Sequence, residues 1–353
     1  MKHPALLIDR VKLRENVKII RDFFEAKNRK FHLVTKCFCA YEPVLEILNE
    51  AGVRNLADSR LENIARLRPY ADSTLLLRMP MLSEVREVVS LCDLSLNSEY
   101  ETIGSLSDAA LALNKRHGVI LMLELGDRRE GVMPEDAMAV IDKIMALRGV
   151  YLAGLGVNFN CYGGVIPDEN KMQQLAEIAQ ATEQKYQIKL DYVSGGNSGS
   201  LWLMEENRMH PHVNHLRLGE SYLFGRETSF GRRFQGLHQD VFTVRLETIE
   251  SISKPSTPDG RIGLNALGEE VSFEDKGVIA RVILALGAQD CNPDGLSPCL
   301  SGVEWLGSSS DHSIYDVSSA ARDFHVGDTL EFRPNYAALN RLFTSEYIHK
   351  YVV

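Results

Sequence analysis

The chain has 353 residues, 44% apolar and 25% charged, with a formal net charge of −9. That length accommodates two domains or one large barrel with an appendage, and the composition is that of an ordinary globular protein. The acidic balance and the lack of a basic run argue against a nucleic-acid surface, and no stretch approaches the length of a membrane span.

The amino-terminal MKHPALLIDRVKLRENV lacks the long apolar core of a secretory signal, so a cytoplasmic location is expected. Its ALLID run either pairs with a later strand or precedes the main fold. Phe31-His32-Leu33-Val34-Thr35-Lys36 reads as a buried strand of a parallel sheet that ends on a lysine. Further strands are expected at 55–58, 74–79, 94–97, 118–125, 151–159, 190–196 and 215–221. Amphipathic helical stretches such as EPVLEILNEAG, SRLENIARL and ENKMQQLAEIAQATEQKY separate them. Ser59, with Glu62 three residues on, has a capping-box pattern. Eight such repeats indicate an α/β fold, a parallel (β/α)8 TIM-type barrel over residues 1–225. Beyond 226 the chain alternates apolar runs with Gly, Pro and Asp turns and has no helical pattern between 235 and 335. Residues 226–353 are therefore read as a carboxyl-terminal β-rich domain.

Active sites of such barrels sit at the carboxyl ends of the strands. The polar residues there are Lys36, Asp58, Arg78, Asn97, Asp127 with Arg129, Asn158 with Asn160, Ser194 to Ser198, and Arg217. A barrel selected for stability alone has no need of that bias, so the pattern points to an enzyme. By itself Lys36 reads either as a rim lysine snorkelling to water or as a desolvated nucleophile of the Schiff-base kind. Two Gly- and Ser-rich loops, 191–200 and 215–221, expose backbone N–H groups after the last two strands, a common phosphate site in this architecture. A lysine that can trap an aldehyde, a phosphate cradle and a buried arginine together suggest pyridoxal 5′-phosphate.

Six cysteines form no CxxC pair, so reduced thiols are expected. Cys37 and Cys39, flanking Phe38, are read as small residues on a cofactor floor in preference to a redox pair. The run His210-Pro211-His212-Val213-Asn214-His215 fits no common metal spacing and is read as a solvated loop; no metal is expected.

The segments VTKCFCA, ADSRLEN, LRMPMLSEV, SLNSEYETI, LELGDRREGV, GLGVNFNCYGGVIP, SGGNSGSL, LRLGESYLFGRET and LGSSSDHSIYDV span nearly the whole chain. They resemble the fold-type III pyridoxal-phosphate enzymes of the alanine racemase class, and among these the ornithine racemase-like amino-acid racemases. The resemblance implies that Lys36 bonds covalently to the cofactor and acts as a catalytic base. It implies further that Ser198 and the backbone around Gly219 and Glu220 hold the phosphate with help from Tyr336, and that Arg217 faces the pyridine nitrogen. By the same resemblance Asn158 would lie beside the cofactor ring and Arg129 near the substrate carboxylate. Asp127 either binds a distal ammonium of the substrate or caps the following loop.

Two departures from the family pattern stand out. Alanine racemases draw a tyrosine base from the partner subunit, and the corresponding GRIGLNALGEEV has none; they also carry a modified lysine where this chain has Met122. The resemblance aligns SSDHS with a partner-subunit segment lining the active site, so the second base is expected to be Asp311 or His312, Asp311 alternatively holding the substrate's amino group, with Asp290 a weaker candidate. The expectation is an isomerase: a homodimeric racemase of ornithine or another basic amino acid. A decarboxylase of the same fold and a non-catalytic pyridoxal-phosphate carrier are the alternatives.

Overall fold

The computed structural model describes residues 1–265, 268 and 270–353. The chain divides into two compact units. One comprises Val11–Lys36 and Ala40–Gln239; the other comprises Met1–Arg10, Cys37–Cys39 and Asp240–Val353.

Strand β1 (Ala5–Ile8) belongs to the second unit, and helix α1 (Arg10–Ala26) follows it. In the first unit β2 (Lys30–Val34), β3 (Asn55–Asp58), β4 (Ser73–Leu76) and β5 (Leu94–Asn97) are followed by β6 (His117–Leu123), β7 (Val150–Val157), β8 (Tyr192–Ser194) and β9 (His215–Leu218). These eight strands pair in parallel and close into a barrel. The closure gives every expected strand a place within a few residues of its expected bounds. Helices α2 (Glu42–Glu50), α3 (Leu61–Leu67), α4 (Val85–Leu91), α5 (Tyr100–Ala112), α6 (Ala137–Met145) and α7 (Glu169–Tyr186) alternate with the strands; two short helices, α8 (Leu201–Glu205) and α9 (Ser221–Phe224), end the unit.

The helices form for local reasons and are held by packing. Helix α7 is capped by the Asp168 carboxylate, which accepts from Lys171 N at 2.9 Å, and it buries Met172, Leu175, Ala176 and Ala179 on one stripe. Helix α3 departs from expectation: Ser59 does not cap it. The buried Asp58 carboxylate at the end of β3 takes the backbone N–H groups of Ser59 and Arg60 at 2.6 and 3.0 Å, just ahead of the helix, whose N-cap position is Arg60 and carries no side-chain cap.

Inside the barrel Val34, Ala57, Leu75, Leu96, Ile120 and Met122 pack into one cluster. Truncating any of the larger ones to alanine would cost about 2–5 kcal/mol. Parallel register keeps neighbouring residues on a common face, so His32 sits beside Arg217 and Ser194 beside His215 on the same interior wall.

The second unit begins with β1, which lies between β10 (Phe242–Pro255), antiparallel, and the carboxyl-terminal β16 (His349–Val352), parallel. The rest of the sheet runs through β11 (Val278–Leu284), β12 (Leu296–Pro298), β13 (Glu304–Ser308), β14 (Ser313–Asp316) and β15 (Thr329–Pro334). Helix α10 (Tyr336–Thr344) precedes β16. The division after the barrel thus falls at Asp240 where 226 was expected, and the first ten residues go with the β-rich unit, because the backbone of β1 is satisfied by β10 and β16. Of the stretch GRIGLNALGEEV, residues 266, 267 and 269 lie outside the described residues. Among the described residues no helix is long and apolar enough to cross a membrane.

Candidate active site

Lys36 stands just beyond β2, opens a short 3₁₀ turn over Lys36–Phe38 and is exposed. What precedes it is tied down. The Thr35 hydroxyl donates to the Asp58 carboxylate, the Thr35 N–H donates to the Ala57 carbonyl at 2.8 Å, and Tyr222 Oη donates to the Val34 carbonyl at 2.9 Å. Asp58 also accepts from Asn63 Nδ2 at 3.0 Å; burial pushes its carboxyl pKa up, while these four hydrogen bonds oppose the rise. The lysine therefore projects from a backbone fixed on three sides.

Arg217, on the neighbouring strand β9, is only 4% exposed. Its Nη1 donates to Ser194 Oγ at 2.5 Å and its Nη2 to the Val157 carbonyl at 2.8 Å, and it forms no ion pair among the described residues. Burial pushes its pKa down to about 10, opposed by the charge of Glu130 and assisted by that of Arg129. A buried guanidinium held only by neutral acceptors is an expensive arrangement unless a further acceptor meets it. Next to Val157, Asn158 is buried, and its Nδ2 has no hydrogen-bond partner among the described residues. An orphaned buried donor is rare in native interiors and marks a place where a ligand can complete the shell.

The two glycine-rich loops meet at Ser198, whose buried Oγ accepts from the N–H of Gly219 at 3.3 Å and of Ser221 at 3.2 Å. Asn197 fixes the first loop, accepting from Gly199 N at 2.8 Å and donating to the Phe159 carbonyl at 2.7 Å. Gly199 is required there: an added Cβ would stand 3.0 Å from Ser229 Oγ and 3.2 Å from Asn160 Cβ. The Glu220 carboxylate points to Arg226, with which it pairs at 2.7 Å.

Arg129 lies on the loop after β6. Its guanidinium is held by the adjacent Glu130, which raises its pKa, and its Nη1 reaches Cys161 Sγ at 2.7 Å. Both oxygens of the buried Asp127 are engaged by the backbone N–H groups of Cys161, Tyr162 and Gly163 at 3.1–3.3 Å. Of the two roles considered for Asp127, this geometry suits loop capping. Arg128 is exposed, and Met122 is buried in the barrel core.

The remaining expected residues belong to the other unit. Asp311 and His312 are exposed on the turn between β13 and β14, where the Ser310 hydroxyl donates to Asp311 and Ser309 N donates to the His312 carbonyl. Tyr336 is the half-buried first residue of α10, behind the Asn335 cap. Asp290 accepts from the Ser345 hydroxyl at 2.7 Å.

Sequence reasoning missed a line of buried polar groups within the barrel. His215, read both as the end of a solvated histidine loop and as the first residue of a strand, is buried on β9, with Nδ1 at 2.9 Å from Ser194 Oγ and Nε2 at 2.9 Å from His32 Nδ1. His32 Nε2 in turn lies 3.2 Å from Ser73 Oγ. Only His210 and His212 of that histidine run are at the surface, half-buried. The available signal was the spacing of His215 and Arg217, two apart in a strand and hence on one face.

Residues 8–227 match the alanine racemase N-terminal domain family. The chain belongs to the alanine racemase family. It is 42% identical over 349 residues to the ornithine racemase of Acetoanaerobium sticklandii, covering 99% of both chains. To the lysine racemase of Thermotoga maritima it is 34% identical over 352 residues, covering 99% of this chain and 98% of that one. Among solved structures, the alanine racemase of Bartonella henselae with covalently bound pyridoxal phosphate superposes with a TM-score of 0.73, at 15% identity and over 99% of each chain. The alanine racemase fold therefore extends through the β-rich unit as well as the barrel.

Proposed function

We propose that this member of the alanine racemase family is a cytoplasmic, pyridoxal-phosphate-dependent racemase of basic amino acids, with ornithine as the favoured substrate. The observation that carries the reading is full-length similarity to an ornithine racemase, combined with a lysine fixed at the carboxyl end of β2 beside the strand that bears a buried, unpaired arginine.

The residues present fit the cofactor. Arg217 is a buried cation that lacks an anionic partner among the described residues, Asn158 offers an unused buried donor, and Ser198 gathers the two glycine-rich loops where a phosphate would lie. When bound, pyridoxal phosphate acidifies the substrate Cα–H by delocalising the electron pair left on carbon. Lys36 would hold the cofactor through Nζ and, when free of it, would take or return the α-proton at Nζ on one face. Arg217 would remain a guanidinium and would donate toward the ring nitrogen, which would keep that nitrogen unprotonated and suppress transamination. Arg129 offers a planar fork to the substrate carboxylate, while Asp127 holds the loop behind it. Asp311 or His312, contributed by the partner subunit of a homodimer, serves the opposite face.

Incubation with single L-amino acids followed by chiral chromatography tests the reading. The expected product is the D-enantiomer with its carboxylate retained, fastest for ornithine and lysine and slow for alanine. An amine product selects a decarboxylase, and bound cofactor without turnover selects a carrier. Borohydride treatment should fix the cofactor on the peptide containing Lys36 and label nothing in Lys36→Ala.

A further inference from the structure

The buried line Arg217–Ser194–His215–His32–Ser73 has a direction that can be worked out from proton bookkeeping. Arg217 has only protons to give, so Ser194 Oγ accepts from it. Ser194 is fully buried, and its own hydroxyl proton has a single acceptor in reach among the described residues, His215 Nδ1 at 2.9 Å. With Nδ1 accepting, the neutral His215 carries its proton on Nε2 and donates it to His32 Nδ1 at 2.9 Å. The proton of His32 then lies on Nε2, directed at Ser73 Oγ at 3.2 Å. The reverse order would leave the Ser194 proton buried without an acceptor, an arrangement folded interiors avoid.

Every group in this order presents its negative end toward Arg217. Neutral rings are required, and the surroundings enforce them: burial and the nearby Arg217 charge hold His32 down at about 3 and His215 well below its ordinary value. The Tyr192 ring packs against both imidazoles, with centroids at 5.8 and 5.1 Å, and limits their rotation. Aligned neutral dipoles stabilise the buried cation without neutralising it, as a carboxylate would. They leave the guanidinium's net charge available to whatever it faces.

We propose that His215 and His32 are positioning residues for Arg217, acting through Ser194 as an oriented hydrogen-bond chain that keeps the guanidinium aimed at the ring nitrogen of the cofactor. The role in catalysis rests on the reading of Arg217 given above; the chain itself does not.

Two measurements test it. In full-length protein labelled with 15N-histidine, with and without added pyridoxal phosphate, both rings should be neutral Nε2–H tautomers, with a scalar coupling across the His215 Nε2–His32 Nδ1 contact. An Nδ1–H tautomer at either ring overturns the chain. In the loaded enzyme, Ser194→Ala and His215→Phe should each lower kcat about tenfold, change KM by less than about twofold and raise the fraction of turnovers lost to transamination, and the double variant should lose no more than either single one. His215→Asn, whose Oδ1 keeps an acceptor for Ser194, should recover most of the loss. Additive losses in the double variant, or a His215→Phe enzyme with wild-type partitioning, overturn the positioning role. A protein that binds no pyridoxal phosphate refutes the proposed reaction, and the tautomer measurement still judges the chain.

Discussion

Acidification should unfold this protein through its barrel histidines, by an amount that follows from their burial. His32 is held at about 3 and His117 at about 4, in both cases by desolvation, against an ordinary value of 6.5. A lowered folded-state value means that the unfolded chain binds protons the folded chain refuses. The stabilisation is complete above pH 6.5 and is lost as pH falls toward the folded values. At pH 5 the unfolded ring is almost fully protonated and the folded ring almost fully neutral, which costs about 2 kcal/mol for His32 and about 2 kcal/mol for His117. His215 is lowered in the same direction and titrates jointly with His32, adding to the same side. A loss of about 4 kcal/mol is a large share of the 5–15 kcal/mol by which domains are folded. Urea unfolding followed by far-ultraviolet circular dichroism at pH 7.5, 6 and 5 should show the midpoint falling by about 1–2 M. His117→Gln, which can keep the contact to Ser95, should be less sensitive to acid by about 2 kcal/mol. A midpoint that stays level from pH 7.5 to 5, or parallel curves for wild type and His117→Gln, would refute the reasoning.

Three further outcomes are expected. Asp58→Ala strips the acceptor from Thr35, Asn63 and two backbone N–H groups, so urea unfolding should report a loss of about 3 kcal/mol, and spectroscopic titration should show weaker cofactor binding. Gly199→Ala forces a Cβ against Ser229 and Asn160; pyridoxal phosphate affinity should fall at least about tenfold, an effect of about 1.4 kcal/mol, while pyridoxal without its phosphate is affected less. Asp127→Ala frees the loop over Cys161–Gly163, so KM should rise alike for ornithine and alanine; a rise confined to basic substrates would instead give Asp127 a contact with their distal ammonium.

The barrel was legible because its strands are short apolar runs at regular intervals, and the strand-end polar residues pointed to one rim as the proposed site. Lys36, Ser198 and Arg217 could be located in that way, since each follows or lies within a strand whose direction is set by the parallel arrangement. The path of Arg217's support was not legible. His32 and Ser194 are far apart in sequence from Arg217, and only the register of a closed barrel brings them together. His215 was expected to open the strand at 215–221 yet was also counted with the surface run before it, and its place in that run gave no sign that its ring would turn into the barrel. The Ser59 capping pattern failed because α3 opens at Leu61 with Arg60 in the cap position, and the Ser59 N–H that Glu62 would have taken goes to Asp58. Asp127 could not be assigned from sequence either, as its partners are backbone groups more than thirty residues away.

The strand β1 carries a consequence for the order of assembly. All barrel strands lie between Lys30 and Leu218, each beside a neighbour one step along the chain except where β9 returns to β2. A growing chain can therefore complete the barrel's pairing while β10 is still being synthesised. The other sheet has no such option. β1 is made first, yet one of its edges waits for β10 at Phe242 and the other for β16 at His349. Closing so long a loop costs entropy that only the finished sheet offsets, and until then Ala5–Ile8 is an unpaired apolar strand. Among the described strands β1 is thus the one that waits longest for its partners, and formation of the β-rich unit's sheet should be the slower phase of folding.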